Sequence, residues 1–351
     1  MRFESEDSAD RPRLPGRRFP RGRPLSDILR QNLLSPVALA FALGVTAKLL
    51  RSEFSLPKDV YAGLAAYLLL ALGLKGGAEL AHASLSVVAL PATATLALGV
   101  VTPLLSYFVL RVLGHFSVSD AAGIAAHYGS VSAVTFIAAQ DFAKAMGAEP
   151  EGFMPTLLTL LESPGIHIAL ALGALKAATP GRSRGTVLHE VLTARTMVLL
   201  VGGLLVGLLM GQHNWESIAP FFDSKGAIFK GALTLFILEM GILAGSRLSD
   251  LKKVGPFLFG FAILMPVVHG ALGAALGTLA GLSVGGAAVL GAMAASASYI
   301  AAPPAVRVTL PEANPTFYLT AALAITFPFN ILFGIPLYFG VARGLHALVT
   351  T

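Results

Sequence analysis

Apolar residues recur almost without interruption from Leu33 to Val349, and most runs reach the ~20 residues a helix needs to cross a hydrocarbon layer. A chain of this kind has few ways to fold. In lipid every backbone N–H and C=O must be satisfied within the protein, which leaves helices or closed barrels. The runs are continuous rather than alternating, which argues against a β-barrel. Hydrophobic residues make up 55% of the 351-residue chain and charged residues 13%, where a soluble chain carries about 25% charged residues. Mean hydropathy is +0.75. The reading is an all-α, polytopic protein of the cell membrane.

Cysteine is absent, which excludes disulfides, thiol catalysis and cysteine-ligated metals. The net charge of +6 reports orientation in a membrane rather than a nucleic-acid partner. No phosphate loop or nucleotide fingerprint is present. Residues 1–33 differ from the rest. Seven arginines from Arg11 to Arg30 stand among Pro, Gly and Ser, a composition that predicts a disordered tail.

The hydropathy pattern predicts ten spans, near 34–50, 60–80, 86–113, 121–142, 153–175, 195–212, 228–246, 255–281, 286–306 and 316–342. The longest loop, 176–194, joins a first half (34–175) to a second (195–351). Three correspondences between the halves run in order. Gly73-Leu74-Lys75-Gly76-Gly77 resembles Gly241-Ile242-Leu243-Ala244-Gly245. Ser117-Val118-Ser119 through Gly129-Ser130-Val131-Ser132 matches Ser283-Val284-Gly285 through Ala295-Ser296-Ala297-Ser298. Glu162-Ser163-Pro164 parallels Thr326-Phe327-Pro328. Their offsets are 168, 166 and 164. Five spans per half is an odd number, so the two repeats are expected to be inverted. With the first span starting outside, Lys48, Arg51, Lys58, Arg111, Lys176, Arg182, Arg184, Arg195, Arg247, Lys252, Lys253 and Arg307 fall at inner ends. That places both termini on the outer side, against the charge of the Arg-rich tail.

Both Ser-x-Ser elements interrupt apolar spans at equivalent places. Such paired interruptions point to a transporter's substrate site. Gly129 can leave helical dihedrals, and the half-helix that follows a break starts with unpaired N–H groups suited to a small anion. Pro303 and Pro304 follow the second break and free carbonyls upstream. Those carbonyls, with hydroxyls such as Thr135 and Thr326, suit sodium. The bland alternative for Ser-x-Ser is a hydroxyl bonded one turn back along its own helix. Glu162 and Glu239 stand mid-span, where a carboxylate costs about 2.5 kcal/mol or more. Each is a candidate for ion coupling, or a structural partner of His167, His127 or Lys75. Asn330 occupies a repeat position close to that of Glu162 and could complete a polar core. His127 and His167 lack a second ligand at i+3 or i+4, so zinc is not expected. Asp141 and Lys144 read as an interfacial pair and Trp215 as an interface anchor.

The chain resembles the sodium-dependent bicarbonate transporter family. The likeness lies in Gly73-Leu74-Lys75-Gly76-Gly77, Gly129-Ser130-Val131-Ser132, the stretch from Ala294 to Pro304 with Leu310 to Pro315, and Gly334-Ile335-Pro336-Leu337. The resemblance implies ten helices in two inverted five-helix repeats with two discontinuous helices, divided into core and gate domains. It implies a homotrimer and elevator-like alternating access. It places bicarbonate at Gly129, Ser130, Ser132, Ser296 and Ser298, here with Tyr299 beside them, and sodium near Ser132 and Ser298. No organic cofactor is expected. Cyanobacterial members carry an acidic residue just after the second pair of serines, where this chain has Tyr299 and Ile300, and an Asp where this chain has Glu162. The family's PII-like regulatory partner belongs to chains whose linker between halves is often longer.

The expected function is sodium-coupled uptake of a small anion, bicarbonate first. Two alternatives stay open: a proton-coupled carrier of another small carboxylate or ion, with Glu162 as the proton site, and a membrane binding or sensor protein. An enzyme is not expected, since no nucleophile–base pattern stands out.

Overall fold

The structure is a computed structural model that describes residues 33–162, 164–176, 193, 195–223 and 226–349. The Arg-rich tail to residue 32 and nearly all of the 176–194 joint lie outside the described residues. Within them the chain is helical: α1 (Pro36–Leu49), α2 (Lys58–His82), α3 (Leu85–Val112), α4 (Val118–Tyr128), α5 (Ala133–Ala145), α6 (Met154–Glu162), α7 (Pro164–Lys176), α8 (Arg195–Phe222), α9 (Ala227–Arg247), α10 (Leu251–Leu279), α11 (Val284–Ala294), α12 (Ala302–Thr309), α13 (Pro315–Leu319), α14 (Phe327–Phe329) and α15 (Ile335–Val349). By length and composition six stretches could cross a membrane, and Pro36–Leu49, Val198–Gly211 and Val284–Ala294 are shorter apolar helices.

The helix ends follow from local chemistry. Ser117 caps α4 by accepting from the Asp120 N–H, and Ser283 caps α11 by accepting from Gly286, so the two repeat positions use one device. Ser35 caps α1 ahead of Pro36. Glycine breaks α8 and α10 each into two helical pieces joined at a kink. Gly211 has φ +67° inside α8 and Gly255 φ +73° inside α10. The sixth span, expected to end near residue 212, is thus broken at Gly211, and a second helical piece runs on to Phe222. From Pro315 to Val349 the chain stays helical but widens to π-helix at Thr320–Thr326 and Asn330–Gly334. Each widening ends two residues before a proline, Pro328 or Pro336, whose missing N–H breaks the regular ladder.

The perimeter is apolar, and the buried polar side chains lie within a mostly apolar core. On α3, Phe108 is 62% exposed and Leu96 44%, while Thr95 and Ser106 are fully buried. An apolar perimeter, with polar side chains turned inward and hydrogen-bonded, is what a lipid solvent selects. The buried Thr95 and Thr102 hydroxyls donate to carbonyls one turn back, those of Pro91 and Leu98.

The helices associate in two groups. α2 packs along α8 and α1 along α9. These seams are made by glycine. Gly73 meets Gly203, Gly77 meets Gly207, and Gly44 meets Gly241, so closely that a Cβ on any of them would strike the partner backbone. In the second group α3 packs on α4 and α7, α10 on α11 and α15, α4 on α7, α11 on α15, and α5 on α11. α6 touches α2, and the first π-helical segment touches α9, which joins the groups. Trp215 is not an interface anchor: it is buried in a small cluster with Leu74 and Ala78.

Gly207 and Gly202 test the seam. A Cβ at Gly207 would lie 2.9 Å from the Leu74 carbonyl carbon and 3.0 Å from the Ala78 nitrogen, whereas one at Gly202 meets nothing within 4 Å. Gly207→Leu is expected to cost about 1–3 kcal/mol, a typical overpacking penalty. Gly202→Leu should be tolerated. Thermal unfolding of both variants in detergent measures the contrast.

Candidate functional site

Spans 4 and 9 are broken where the Ser-x-Ser elements predict. The helix stops at Tyr128 and resumes at Ala133, and stops at Ala294 and resumes at Ala302. The two breaks meet. The Ser132 N–H donates to Ser296 Oγ at 2.8 Å, and the Ser298 N–H donates to the His127 carbonyl, also at 2.8 Å. Ser132 Oγ–H donates to Tyr299 Oη at 3.3 Å. Ser132, Ser296 and Ser298 are all buried.

Each serine also serves its own strand of the crossing. Ser132 Oγ caps α5 by accepting from the Thr135 N–H at 3.2 Å. Ser298 Oγ accepts from the Ala301 and Ala302 N–H groups at 3.3 and 3.4 Å, where α12 starts. Ser296 Oγ–H donates to the Met293 carbonyl at 2.8 Å, the turn-back bond of the bland alternative. Ser130 Oγ–H reaches across to the Glu162 carbonyl at 2.7 Å. Two half-helix N-termini, α5 and α12, thus begin at one buried crossing. The first N–H groups of α5, those of Ala133 and Val134, have no intrahelical partner and carry partial positive charge.

Gly129 is required by contact rather than by φ, which is −92°. A Cβ there would stand 2.6 Å from Pro103 Cβ and 3.0 Å from Gly165 Cα, and one on Gly165 would strike the Gly129 backbone. The second break is held differently. Asn330 Nδ2 donates to the Ala295 carbonyl at 2.9 Å, and Tyr338 Oη–H donates to Asn330 Oδ1 at 2.8 Å. Thr326 Oγ1–H donates to the Ala262 carbonyl at 2.6 Å, so the Tyr128 hydroxyl 2.6 Å away must donate to it.

The geometry decides where the mid-span carboxylates go. Glu162 is buried, and its carboxylate makes no hydrogen bond to a described residue. Tyr299 lies within its electrostatic reach. Glu239 stands apart, on α9: its Oε2 accepts the Leu56 N–H at 2.9 Å and so ties down the α1–α2 loop. Lys75 pairs with Asp223 at 3.0 Å rather than with either glutamate. Thr135 Oγ1 is buried without a partner one turn into α5.

The Na+-dependent bicarbonate transporter superfamily model matches residues 36–343. The chain belongs to this superfamily. It is therefore a multi-pass membrane protein of a transporter family, and not an enzyme by kinship. Comparison with curated proteins gives no match. The matched range contains both breaks and the whole glycine seam.

Aromatic residues at the crossing carry no motif in the sequence. The Tyr299 ring meets Phe327 edge-on with centroids 5.4 Å apart, and Phe327 meets Phe41 of α1 in the same way at 5.3 Å. Tyr61 of α2 stacks on Phe236 at 5.0 Å and lies within electrostatic reach of both Tyr299 and Glu239. Phe327 thus links Tyr299 of the crossing to Phe41 of the other helix group. The His127 ring stacks on Tyr318 at 4.6 Å while its Nδ1 bonds the Gly123 carbonyl. Among the described residues no group of three His, Cys, Asp or Glu side chains is placed to hold a metal ion.

Asn330→Ala would strand the Ala295 carbonyl and the Tyr338 hydroxyl together. The expected cost is about 1–3 kcal/mol per buried group left unpaired, larger than for Tyr338→Phe, which strands one. Ranking the two variants by thermal unfolding in detergent checks this.

Proposed function

We propose that the protein is a sodium-coupled importer of bicarbonate. Kinship supports the substrate and ion. The observation that carries the site is the pair of 2.8 Å bonds, Ser132 N–H to Ser296 Oγ and Ser298 N–H to the His127 carbonyl, which join two helix breaks inside the bundle. A small oxyanion would take the place of Ser296 Oγ at the Ser132 N–H and lie on the N–H groups of Ala133 and Val134. The Ser298 and Tyr299 hydroxyls, whose protons have no acceptor among the described residues, would donate to it. Sodium would sit on the side of Glu162 and Thr135, lowering the cost of an anion in low dielectric. Gly129 and Ser130 shape the first break; Thr326 and Asn330 hold the second in register.

The transport cycle we infer is elevator-like. The glycine-locked group α1, α2, α8 and α9 would stand still while the group bearing the crossing slides past it. The contact pattern supports inverted repeats. α2 on α8 and α9 on α1, α3 on α4 and α10 on α11, α4 on α7 and α11 on α15 are each one contact seen from the two halves. Ten crossings result if the 53-residue stretch Ala227–Leu279 is counted as two and the three shorter apolar helices are added to the six long stretches. At 1.5 Å per residue it is about 80 Å long, more than twice a hydrocarbon core. Termini on the outer side, an inner-membrane location and a homotrimer belong to the same proposal.

Uptake of labelled bicarbonate into proteoliposomes under an inward sodium gradient is the direct test. Ser132→Ala with Ser298→Ala is expected to lower uptake at least tenfold, the equivalent of about 1.4 kcal/mol, and, because it also removes the acceptors that cap α5 and α12, to lower the melting temperature without preventing folding. Equal uptake by variant and wild type would remove the site.

One observation favours a second reading. A buried carboxylate without a hydrogen-bond donor, as at Glu162, is suited to carrying a proton. In that case a proton gradient would drive uptake with no sodium present. Glu162→Gln would abolish the proton dependence while retaining exchange. If coupling is to sodium, Glu162→Gln should instead raise the sodium concentration needed for half-maximal uptake. Uptake measured against each gradient separately distinguishes the two.

A further inference from the structure

Away from the crossing, a cavity of about 540 Å³ opens where four chain segments converge: residues 34–37 at the start of α1, 138–145 on α5, 230–234 on α9, and Ile331 with Ile335 after α14. Its floor is apolar, formed by the buried Ala138, Phe142, Leu233, Ile331 and Ile335. Its mouth is charged. Asp141 stands there half-buried, with the ammonium groups of Lys230 and Lys144 acting on its carboxylate and Lys75 beyond them. Lys75 is held by Asp223. Lys230 is exposed, and neither its ammonium nor the Asp141 carboxylate makes a hydrogen bond or salt bridge to a described residue. Leu34 and Pro36 at the rim are exposed apolar residues.

An apolar floor under a mouth of mixed charge is the complement of an amphiphile with a zwitterionic head. We propose that this cavity binds an aminophospholipid. Its primary ammonium would meet the Asp141 carboxylate, its phosphate the Lys230 ammonium, and one acyl chain the floor between Phe142, Leu233 and Ile335. An anionic head without an ammonium would leave Asp141 facing like charge. A choline head would offer charge without an N–H to donate. The volume lies within the range of small-molecule sites and accommodates a head with part of one chain.

The location gives the lipid a consequence. α1 and α9 belong to the glycine-locked group, while α5 and the Ile331–Ile335 turn belong to the group that carries the crossing. A lipid seated here touches both, so it would favour the relative position seen in this structure and resist sliding.

Native mass spectrometry of the delipidated full-length protein, titrated with phosphatidylethanolamine, phosphatidylcholine or phosphatidylglycerol, tests the proposal. The first lipid bound should prefer the ethanolamine head over the choline head by about tenfold, as expected for one charge-assisted hydrogen bond. Asp141→Asn should abolish that preference, and Lys230→Gln should weaken binding of all three lipids. The exchange Asp141→Lys with Lys230→Asp should restore the ethanolamine preference, which separates a charge effect from misfolding. No head-group preference, or a preference unchanged in Asp141→Asn, overturns the proposal. So does lipid binding that emerges only when residues 1–32 are deleted, since the Arg-rich tail would then be the occupant. Tighter binding of phosphatidylglycerol in wild type would reduce the site to a plain anion patch and likewise overturn it.

Discussion

A backbone amide in hydrocarbon has no water to fall back on, and this single constraint organises the molecule. An interrupted helix would leave N–H and C=O groups unpaired at a cost of several kcal/mol each. Here two interruptions satisfy one another. The Ser132 N–H is taken by a side chain of the second break and the Ser298 N–H by a carbonyl beside the first. Neither break would be tolerable alone in that place. Among the described residues at the crossing, the N-terminal turn of α5, the Ser298 and Tyr299 hydroxyl protons and the Glu162 carboxylate remain unpaired. Unused donors and one carboxylate are thus concentrated at the centre of the bundle, with apolar side chains around them.

The two breaks are equivalent in sequence but not in support. The first is braced by backbone against backbone, Gly129 on Gly165, which admits no side chain at either position. The second is braced by an amide, Asn330, that bridges the Ala295 carbonyl to Tyr338. A glycine contact is rigid and chemically inert. A side-chain bridge within π-helical turns can rearrange at modest cost, and π-helical turns recur at functional positions. The asymmetry implies that the second break is the more adaptable of the pair. The α1, α2, α8 and α9 seams resemble the first break. Their glycines bring backbones into contact over several turns, which leaves little freedom for those helices to shift against one another.

Much of this was legible in the sequence, for physical reasons that can be named. Apolar run length reports membrane helices because lipid thickness is fixed. The breaks were visible because Ser-x-Ser beside Gly129 and beside Pro303 is unusual inside such runs. The glycine seams were half-visible. Gly203 and Gly207 share a spacing that predicts close packing, and they do pack on α2, but Gly211 at the same spacing is a kink with φ +67°. Partners were not legible. Nothing in the sequence ties Glu239 to the Leu56 amide, Lys75 to Asp223, or Tyr299 to Phe327, since each pair is set by which helices adjoin rather than by spacing. Trp215 read as an interface anchor because indole favours that region, yet the kink at Gly211 turns it onto Leu74 and Ala78.

Tyr299 is where this chain parts from the cyanobacterial pattern, and the structure gives the substitution a physical meaning. A carboxylate after Ser298 would place a negative charge beside the proposed anion, tolerable only with a cation between them. Tyr299 offers a neutral hydroxyl instead, bonded to Ser132 and anchored through Phe327 to Phe41 of the opposite helix group. Under the proposed function the negative charge that recruits the coupling ion must then come from Glu162, whose main chain is already bonded to Ser130 of the first break. Ion and anion would be read by different groups at one crossing: the Glu162 carboxylate and Thr135 hydroxyl for the ion, the first N–H groups of α5 with Ser298 and Tyr299 for the anion. Under the same proposal the ring series Tyr299–Phe327–Phe41 would span the moving and static groups and make Tyr299 sensitive to sliding. Loss of the Phe327–Phe41 contact as the groups shift would free Phe327 and so loosen Tyr299 from Ser132, and the site would weaken its hold on the anion as it reaches the far side.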